Sequence, residues 1–395
     1  FYIFLSYKTK MKRINIFFIF LAFLTFTLEN VKAQDAPGRT TATIVADALA
    51  QLPADKPADY TKTMASLTST GEEGLLSLIH MLKVPDTQSN EVVEFAISGW
   101  TNFVANDTAK RSVAANAFAK ALELSVDKEI KAFIISQLEL IGSENQINTL
   151  SKLINDERLS APAVQVLAAL QSDKANEAML NALLQTNDEK IKINLINGLS
   201  CAGYEKAEIT FLGLLQTNPS PQMQKSLIQA VGTVGGYTSI LPLKSAAEES
   251  NYSYSKNSAT TSFLQLLKRI SPKYSKAVQS EASNLLSKAT ALGLQDLRVA
   301  AMELLMNVSN ANKSKLLQNA LKDNNAVFLT NTLNFYPGVD KKSIGTVLNK
   351  LKSKNTSPEV KTSLVYWLAK NQVTASVLQI SQQLQSPNEM LQTAA

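Results

Sequence analysis

Apolar residues recur along this chain at the spacing that marks one face of an α-helix. In the segment from Ile130 to Ile141 they stand at offsets 0, 4, 5, 8 and 11. A rotation of about 100° per residue gathers these positions on one side of a helix. Segments with closely similar spacing begin at Ile191, Met223, Leu297 and Val360. Each of them predicts a helix that buries one face against its neighbours.

These segments belong to a repeat. The first apolar residue of each is taken as its anchor, and anchors return at irregular intervals of about 30 to 40 residues. The anchors are Val92, Ile130, Pro162, Ile191, Met223, Ala259, Leu297, about Asn325, Val360 and Met390. Another predicted helix precedes each anchor, at 72–83, 109–124, 144–154, 176–185, 207–216, 240–249, 274–289, 314–322, 342–352 and 375–384. The sequence therefore predicts an all-α fold, a right-handed α-solenoid of stacked antiparallel helix hairpins.

Turn residues support the same boundaries. N-cap residues stand ahead of four anchors, two of them followed by proline: Asp127, Asp188, Ser220 and Ser357. Glycines follow the second helices, at positions where the backbone often turns left-handed and glycine is favoured: Gly142, Gly203, Gly235 and Gly236. Residues 34–68 are predicted as N-terminal capping helices and residues 69–395 as the repeats.

Both ends of the chain carry their own signals. Residues 11–33 have the basic start, apolar stretch and small residues of an export signal, with cleavage expected after Ala33. An uncleaved anchor is the alternative, but the apolar stretch from Ile14 to Leu28 is short for a span. Residues 1–10 are interpreted as upstream read-through. The last residues resemble the start of another second helix, so we expect a fragment truncated in mid-repeat, from a periplasmic or extracellular bacterial protein.

The charge of the chain argues against nucleic-acid binding. The whole sequence has 39 Lys and Arg against 33 Asp and Glu, a balance of +6. Residues 1–33 contain five of the basic residues and one acidic residue, which leaves 34 against 32, or +2, for the mature chain. A nearly neutral protein lacks the basic surface that phosphate backbones require.

Residue types that carry chemistry are scarce. His80 is the only histidine and Cys201 the only cysteine, so the common zinc sites are excluded, and no Gly-x-Ser-x-Gly motif is present. We expect a buried, inert thiol at Cys201, core packing for Trp100 and partial exposure for Trp367. The sequence predicts no catalytic residue, no metal and no cofactor in this chain.

One connection between helices is unusually long and polar. Residues 250–257 read Ser-Asn-Tyr-Ser-Tyr-Ser-Lys-Asn, longer than most links between packed helices. A tolerated surface insertion is one interpretation. The other is that Tyr252 and Tyr254 are exposed contact residues that stack on a partner or a sugar ring.

The hairpins resemble HEAT repeats of the short bacterial type. In that type an Asp and a Val-Arg pair open the second helix, and the segments Asp127–Lys131 and Asp188–Lys192 are the closest matches here. The resemblance covers residues 40–395. Residues 39–47, 69–75 and 131–137 also resemble the N-terminal solenoid of exported bacterial proteins that carry a 3-keto-disaccharide (3-keto-glycoside) hydrolase-type domain. That resemblance implies that any catalytic residues follow Ala395.

A basic residue comes directly after several anchors and suggests a ladder along the concave side: Lys131, Lys192, Arg298 and Lys361. The favoured interpretation is that these residues pair with neighbouring acidic side chains and carbonyls inside the stack. Three functions stay open. The chain is a non-catalytic exported scaffold that docks a protein or an attached C-terminal domain, the N-terminal arm of a carbohydrate-active hydrolase, or a stand-alone glycan-binding or periplasmic assembly scaffold.

Overall fold

The protein is all-α. The structure is a computed structural model that describes residues 39–84, 89–125, 127–254, 256–308, 313–336 and 338–395. Helices and turns make up this part of the chain, and no β-strand occurs in it. The predicted fold class is therefore confirmed as an α-solenoid-like arrangement of helices. The predicted export signal, residues 11–33, lies outside the described residues.

The helices alternate as first and second members of hairpins. Numbered in chain order, they are α1 (Thr41–Ala50), α2 (Pro57–Thr68), α3 (Gly71–His80), α4 (Glu91–Val104), α5 (Thr108–Leu124), α6 (Lys128–Ile141), α7 (Ile147–Ser151), α8 (Ser160–Ala169), α9 (Asp173–Gln185), α10 (Glu189–Cys201), α11 (Glu208–Leu215), α12 (Pro221–Val234), α13 (Ile240–Glu249), α14 (Ala259–Ile270), α15 (Ser275–Ala291), α16 (Gln295–Val308), α17 (Lys313–Ala320), α18 (Ala326–Phe335), α19 (Lys341–Lys352), α20 (Pro358–Lys370), α21 (Val377–Ser381) and α22 (Glu389–Ala394). Odd numbers are first helices and even numbers are second helices, and a helix lies at every predicted position.

The chain divides into two compact units, with the boundary between Ile130 and Lys131. In the first unit, α1 packs on α3 and α2 packs on α4, so one hairpin lies on the next. Helix α5 packs mainly on α3. The core of this unit includes Met64, Leu78 and Phe118, which are fully buried.

In the second unit the hairpins pack in chain order. Second helices contact second helices, from α8 through α10 and α12 to α14, and again from α16 through α18 and α20 to α22. First helices contact one another much less. The second helices of this unit therefore approach one another more closely than the first helices do.

One junction in the second unit differs from the rest. Helices α14 and α16 make far fewer contacts than the other neighbouring second helices from α8 onward. Three ion pairs connect the hairpin that contains α14 to the hairpin that contains α16. They are Lys244 with Glu281 at 2.9 Å, Lys268 with Glu303 at 2.8 Å, and Lys288 with Glu248. We call the contact between hairpins α13/α14 and α15/α16 the polar junction.

The predicted helix starts are confirmed. Each predicted N-cap side chain accepts a hydrogen bond from the backbone N–H three residues later, as Asp188 does from Ile191 at 3.0 Å and Ser220 from Met223 at 3.2 Å. The prediction of left-handed glycine is right for Gly203, with φ +67°. It is wrong for Gly235, with φ −63°, and also for Gly142 and Gly236. An added Cβ at Gly235 would stand 2.4 Å from the carbonyl oxygen of Val231, so close approach explains this glycine.

Helix caps and burial together correct three of the predicted anchors. Asn388 accepts from the N–H of Leu391, which is buried, whereas Met390 is 58% exposed. Asn325 likewise caps Phe328 and is not itself the first core residue. At α8 the series of buried residues starts at Leu159, directly before the helix, and not at Pro162. The series continues at Ala163, Val164 and Leu167.

Two expectations about burial are wrong. Trp367 is buried, because its offset of 7 from Val360 falls in the arc that packs between neighbouring second helices. Cys201 is exposed, because its offset of 10 from Ile191 turns it away from that arc. Trp100 lies in the core, as predicted.

Candidate interaction surface

A row of carboxamide side chains runs along the solvent-exposed face of four consecutive second helices. Its members stand six residues after the first core residue of α8, α10, α12 and α14, and all four are exposed. They are Gln165, Asn197, Gln229 and Gln265. An offset of six residues is about 240° from the anchor, opposite the buried arc. We call this set the carboxamide row.

Hydrogen bonds between neighbouring repeats hold three members of the row. The Nε2 group of Gln165 donates to both carboxylate oxygens of Glu139 at 3.0 Å. Gln265 Nε2 donates to Thr233 Oγ1 at 3.3 Å, and Gln229 Nε2 donates to Ser258 Oγ at 3.2 Å. Because each amide nitrogen points to a neighbouring repeat, the carbonyl oxygens are left as acceptors on the surface.

Glycines allow the second helices under this row to approach closely. A Cβ built on Gly232 of α12 would stand 2.8 Å from Ser262 Cβ and 2.9 Å from Ser262 Cα in α14. A Cβ on Gly198 of α10 would stand 2.2 Å from Val164 Cγ1 in α8. Real Cβ atoms do not come this near to other carbon atoms, so a larger residue at either position would force the neighbouring helix or its side chain to shift.

The predicted basic ladder does not form a uniform charged stripe. Arg298 is 6% exposed and lies inside the stack. Its guanidinium pairs with Asp323, donates to Gln295 Oε1 at 2.8 Å and stacks on the ring of Phe328 at 4.2 Å. For Arg298 the favoured interpretation, pairing within the stack, is confirmed. Burial raises the pKa of Asp323, but hydrogen bonds from the Asn325 backbone and from Arg298 lower it by more. The pKa of Asp323 therefore lies below its usual value.

The other three members of the ladder are half-buried lysines. Lys131, Lys192 and Lys361 have no acidic group within 4.0 Å in the part of the chain that the structure describes. An offset of one residue from the anchor directs each of them toward the buried arc at the start of its helix. For these three lysines the favoured interpretation, pairing within the stack, is not confirmed, because no such pair occurs among the described residues. Their role in partner contact stays a prediction.

The two tyrosines of the long connection differ in exposure. Tyr252 is buried, so the expectation of an exposed contact residue is wrong for it. The connection folds back through left-handed residues at Asn251, Tyr252 and Ser258 and places the Tyr252 hydroxyl 3.4 Å from Glu248 Oε1, beside the polar junction. Tyr254 is 44% exposed, and its contact role stays a prediction.

A carboxylate that the sequence reasoning missed connects two hairpins. Glu208 Oε1 accepts hydrogen bonds from Gly236 N at 2.8 Å, Thr238 Oγ1 at 2.6 Å and Ser239 Oγ at 2.7 Å. Burial raises the pKa of Glu208, but these hydrogen bonds and the charge of Arg269 together lower it by more than burial raises it. The pKa of Glu208 therefore lies below its usual value. Glu144 accepts from Ser172 and Lys174 in the same way.

One cluster contains the residue types of a catalytic site but is a helix cap. Asp340 is the N-cap of α19 and accepts from the Ser343 backbone at 2.8 Å, the Ser343 hydroxyl at 2.6 Å and the Tyr336 hydroxyl. These hydrogen bonds lower the pKa of Asp340 to about 2. A carboxylate with so low a pKa is a poor base, and Ser343 is fully buried.

Metal clusters and membrane spans are absent from the part of the chain that the structure describes. No group of three or more His, Cys, Asp or Glu among these residues is placed to hold a metal ion. No helix in the same ranges is both long enough and apolar enough to cross a membrane. No protein-family model matches the chain, and no curated protein matches it.

Proposed function

We propose that this chain is a non-catalytic scaffold that docks a polypeptide along its second helices. The observation that carries the proposal is the carboxamide row, four exposed amide side chains at one register position. A carboxamide offers both a donor and an acceptor, which is the complement of a peptide group. The partner is a separate protein or a domain attached to the same chain.

The spacing of the row fits an extended chain. Packed helices lie about 8–10 Å apart, and three residues of a polyproline II segment cover about 9 Å. A peptide that runs across the second helices therefore presents a backbone group to each carboxamide in turn. Cross-repeat hydrogen bonds at Gln165, Gln229 and Gln265 fix the side chains beforehand, which reduces the entropy lost on binding.

We further propose that the protein is exported and forms the N-terminal part of a larger carbohydrate-active hydrolase. The support is the composition of residues 11–33 and the resemblance of the hairpins to HEAT repeats that precede such a domain. In that arrangement the solenoid positions the catalytic domain or its partner. Sequencing of the gene beyond Ala395 tests this extension: an open reading frame that stops there contradicts it.

Site-specific photo-crosslinking tests the docking surface. A benzoylphenylalanine at position 229 should give a discrete adduct in cells that produce the protein, either with another protein or with a downstream segment of the same chain. The matched control is position 284, an exposed asparagine on the first helix α15. The adduct at position 229 should weaken when Asn197 and Gln265 are replaced by alanine. Equal adducts at both positions, or none at position 229, would refute the proposal.

A further inference from the structure

A polar cavity lies between two neighbouring first helices, away from the carboxamide row. Its volume is about 380 Å³, and α7 with the turn after it forms one wall while α9 forms the other. Four carboxamide side chains line it: Asn148, Asn155, Asn181 and Gln185. Ser151 and Thr186 add two hydroxyl groups.

Among the polar side chains that line this cavity, that of Thr186 is used, because its Oγ1 accepts a hydrogen bond from the Asp188 backbone N–H at 3.2 Å. None of the four carboxamides makes a side-chain hydrogen bond to another residue in the described ranges. Ser151 also lines the cavity, but its Oγ is buried and does not reach the cavity surface. Nearby amides are used, since Gln171 donates to Ala168 O at 3.0 Å and Asn194 to Ser160 Oγ at 3.2 Å. The four carboxamides of the cavity are exposed, so their donors and acceptors are accessible to a ligand.

The chemistry of the walls selects the ligand. No charged residue lines the cavity, and its apolar surface comes from Ile154, Ala178 and Ala182. Amides and hydroxyls match vicinal hydroxyl groups, each of which both donates and accepts, while the apolar surface matches the C–H groups of a sugar ring. An anion or a cation would find no countercharge here.

The fold does not require these polar residues. Asn148 is the second residue of its helix, and the second residues of α11, α13 and α21 are Ile209, Leu241 and Leu378. Those three side chains are 83%, 68% and 65% exposed, so an apolar residue is tolerated at this position. The repeat therefore does not require an asparagine at position 148.

We infer that the cavity between α7 and α9 binds one unit of a neutral sugar, through the carboxamides of Asn148, Asn155, Asn181 and Gln185. This inference does not depend on the docking function proposed above, because it uses the opposite members of the hairpins. With no aromatic ring in the cavity for stacking, the affinity for a single sugar is in the millimolar range.

Saturation-transfer NMR on the protein tests the inference. The probes are glucose, galactose, mannose and N-acetylglucosamine as neutral sugars, with glucuronate and glycylglycine amide as charged and peptide-like competitors. At least one neutral sugar should receive saturation with a millimolar Kd. The double variant Asn181→Leu/Gln185→Leu should weaken that Kd at least tenfold, and Asn148→Leu should weaken it about two- to tenfold, since it removes one carboxamide that hydrogen-bonds the sugar.

Asn284→Leu is the matched control, because it removes an exposed carboxamide from a first helix outside the cavity. Its Kd should equal that of the unmodified protein. Circular dichroism of each variant confirms that the helices are retained. Absence of saturation transfer to every neutral sugar, equal binding by the double variant, or tighter binding of glucuronate or glycylglycine amide would overturn the inference.

Discussion

Gly232 offers the sharpest test of how closely the second helices pack. Alanine at this position would place its Cβ 2.8–2.9 Å from the Cβ, Cα and carbonyl oxygen of Ser262. Two of these atoms belong to the backbone of α14 and cannot rotate aside. Helix propensity favours alanine over glycine by about 0.8–1.0 kcal/mol, whereas overpacking costs about 1–3 kcal/mol. Because backbone atoms cannot move aside cheaply, the overpacking cost here falls in the upper part of that range, about 2–3 kcal/mol. After the gain in helix propensity, we expect Gly232→Ala to lower the free energy of unfolding by about 1–2 kcal/mol.

Gly213 is the matched control, because it also lies inside a helix but has no atom within 4 Å of an added Cβ. Gly213→Ala should raise the free energy of unfolding by about 0.5–1 kcal/mol, since only the propensity term remains. Thermal and urea unfolding followed by circular dichroism at 222 nm measures both variants. If Gly232→Ala is as stable as the unmodified protein, α12 and α14 do not approach as closely as described.

Three further predictions concern single side chains. Glu208→Gln should lower the free energy of unfolding by about 1–2 kcal/mol at pH 7, because charged acceptors make stronger hydrogen bonds than neutral ones. Arg298→Ala should cost about 2–3 kcal/mol, because it leaves the partly buried Asp323 unpaired, whereas Lys361→Ala at the same offset should change stability by less than about 0.5 kcal/mol. Cys201 should react fully with a thiol reagent in the native protein, because it is exposed.

The pH dependence of Glu208 follows from its lowered pKa. Its carboxylate contributes stability above the unfolded value of 4.5, and this contribution is lost as the pH falls through the lower folded pKa. The difference between the Glu208→Gln variant and the unmodified protein should therefore shrink as the pH falls from 7 to 3 in denaturant titrations. A constant difference would contradict the hydrogen-bonded carboxylate. Slow labelling of Cys201 without denaturant, or equal costs for Arg298→Ala and Lys361→Ala, would contradict the helix faces.

The helices could be predicted from sequence because a stacked helix buries a fixed arc of its surface. The spacing from Ile191 to Leu199 reports that arc directly, and the cap at Asp188 sets its start. The prediction failed at Trp367, where contact with neighbours on both sides widens the arc to an offset of seven. It failed at Tyr252 because no local pattern shows that a long connection folds back beside the polar junction.

The sites depend on contacts between repeats, which local patterns do not encode. Asn148 and Asn181 line the same cavity from neighbouring first helices. In the sequence, each of them resembles an ordinary surface amide. The carboxylate contacts did leave a signal in the sequence. Glu144 bonds residues 28 and 30 positions later, and Glu208 bonds residues at the same separations. A search for polar pairs at the repeat length would have found both.

The polar junction gives the second unit an uneven resistance to bending. Elsewhere, second helices mesh through interlocking apolar surfaces, and sliding or opening them would expose those surfaces to water. Across the polar junction two of the three lysine–carboxylate pairs, Lys268–Glu303 and Lys288–Glu248, are exposed and tolerate small displacements, because ions in solvent re-pair or hydrate at little cost. Mechanical compliance therefore concentrates at one joint, whose stiffness falls as dissolved ions screen the charges.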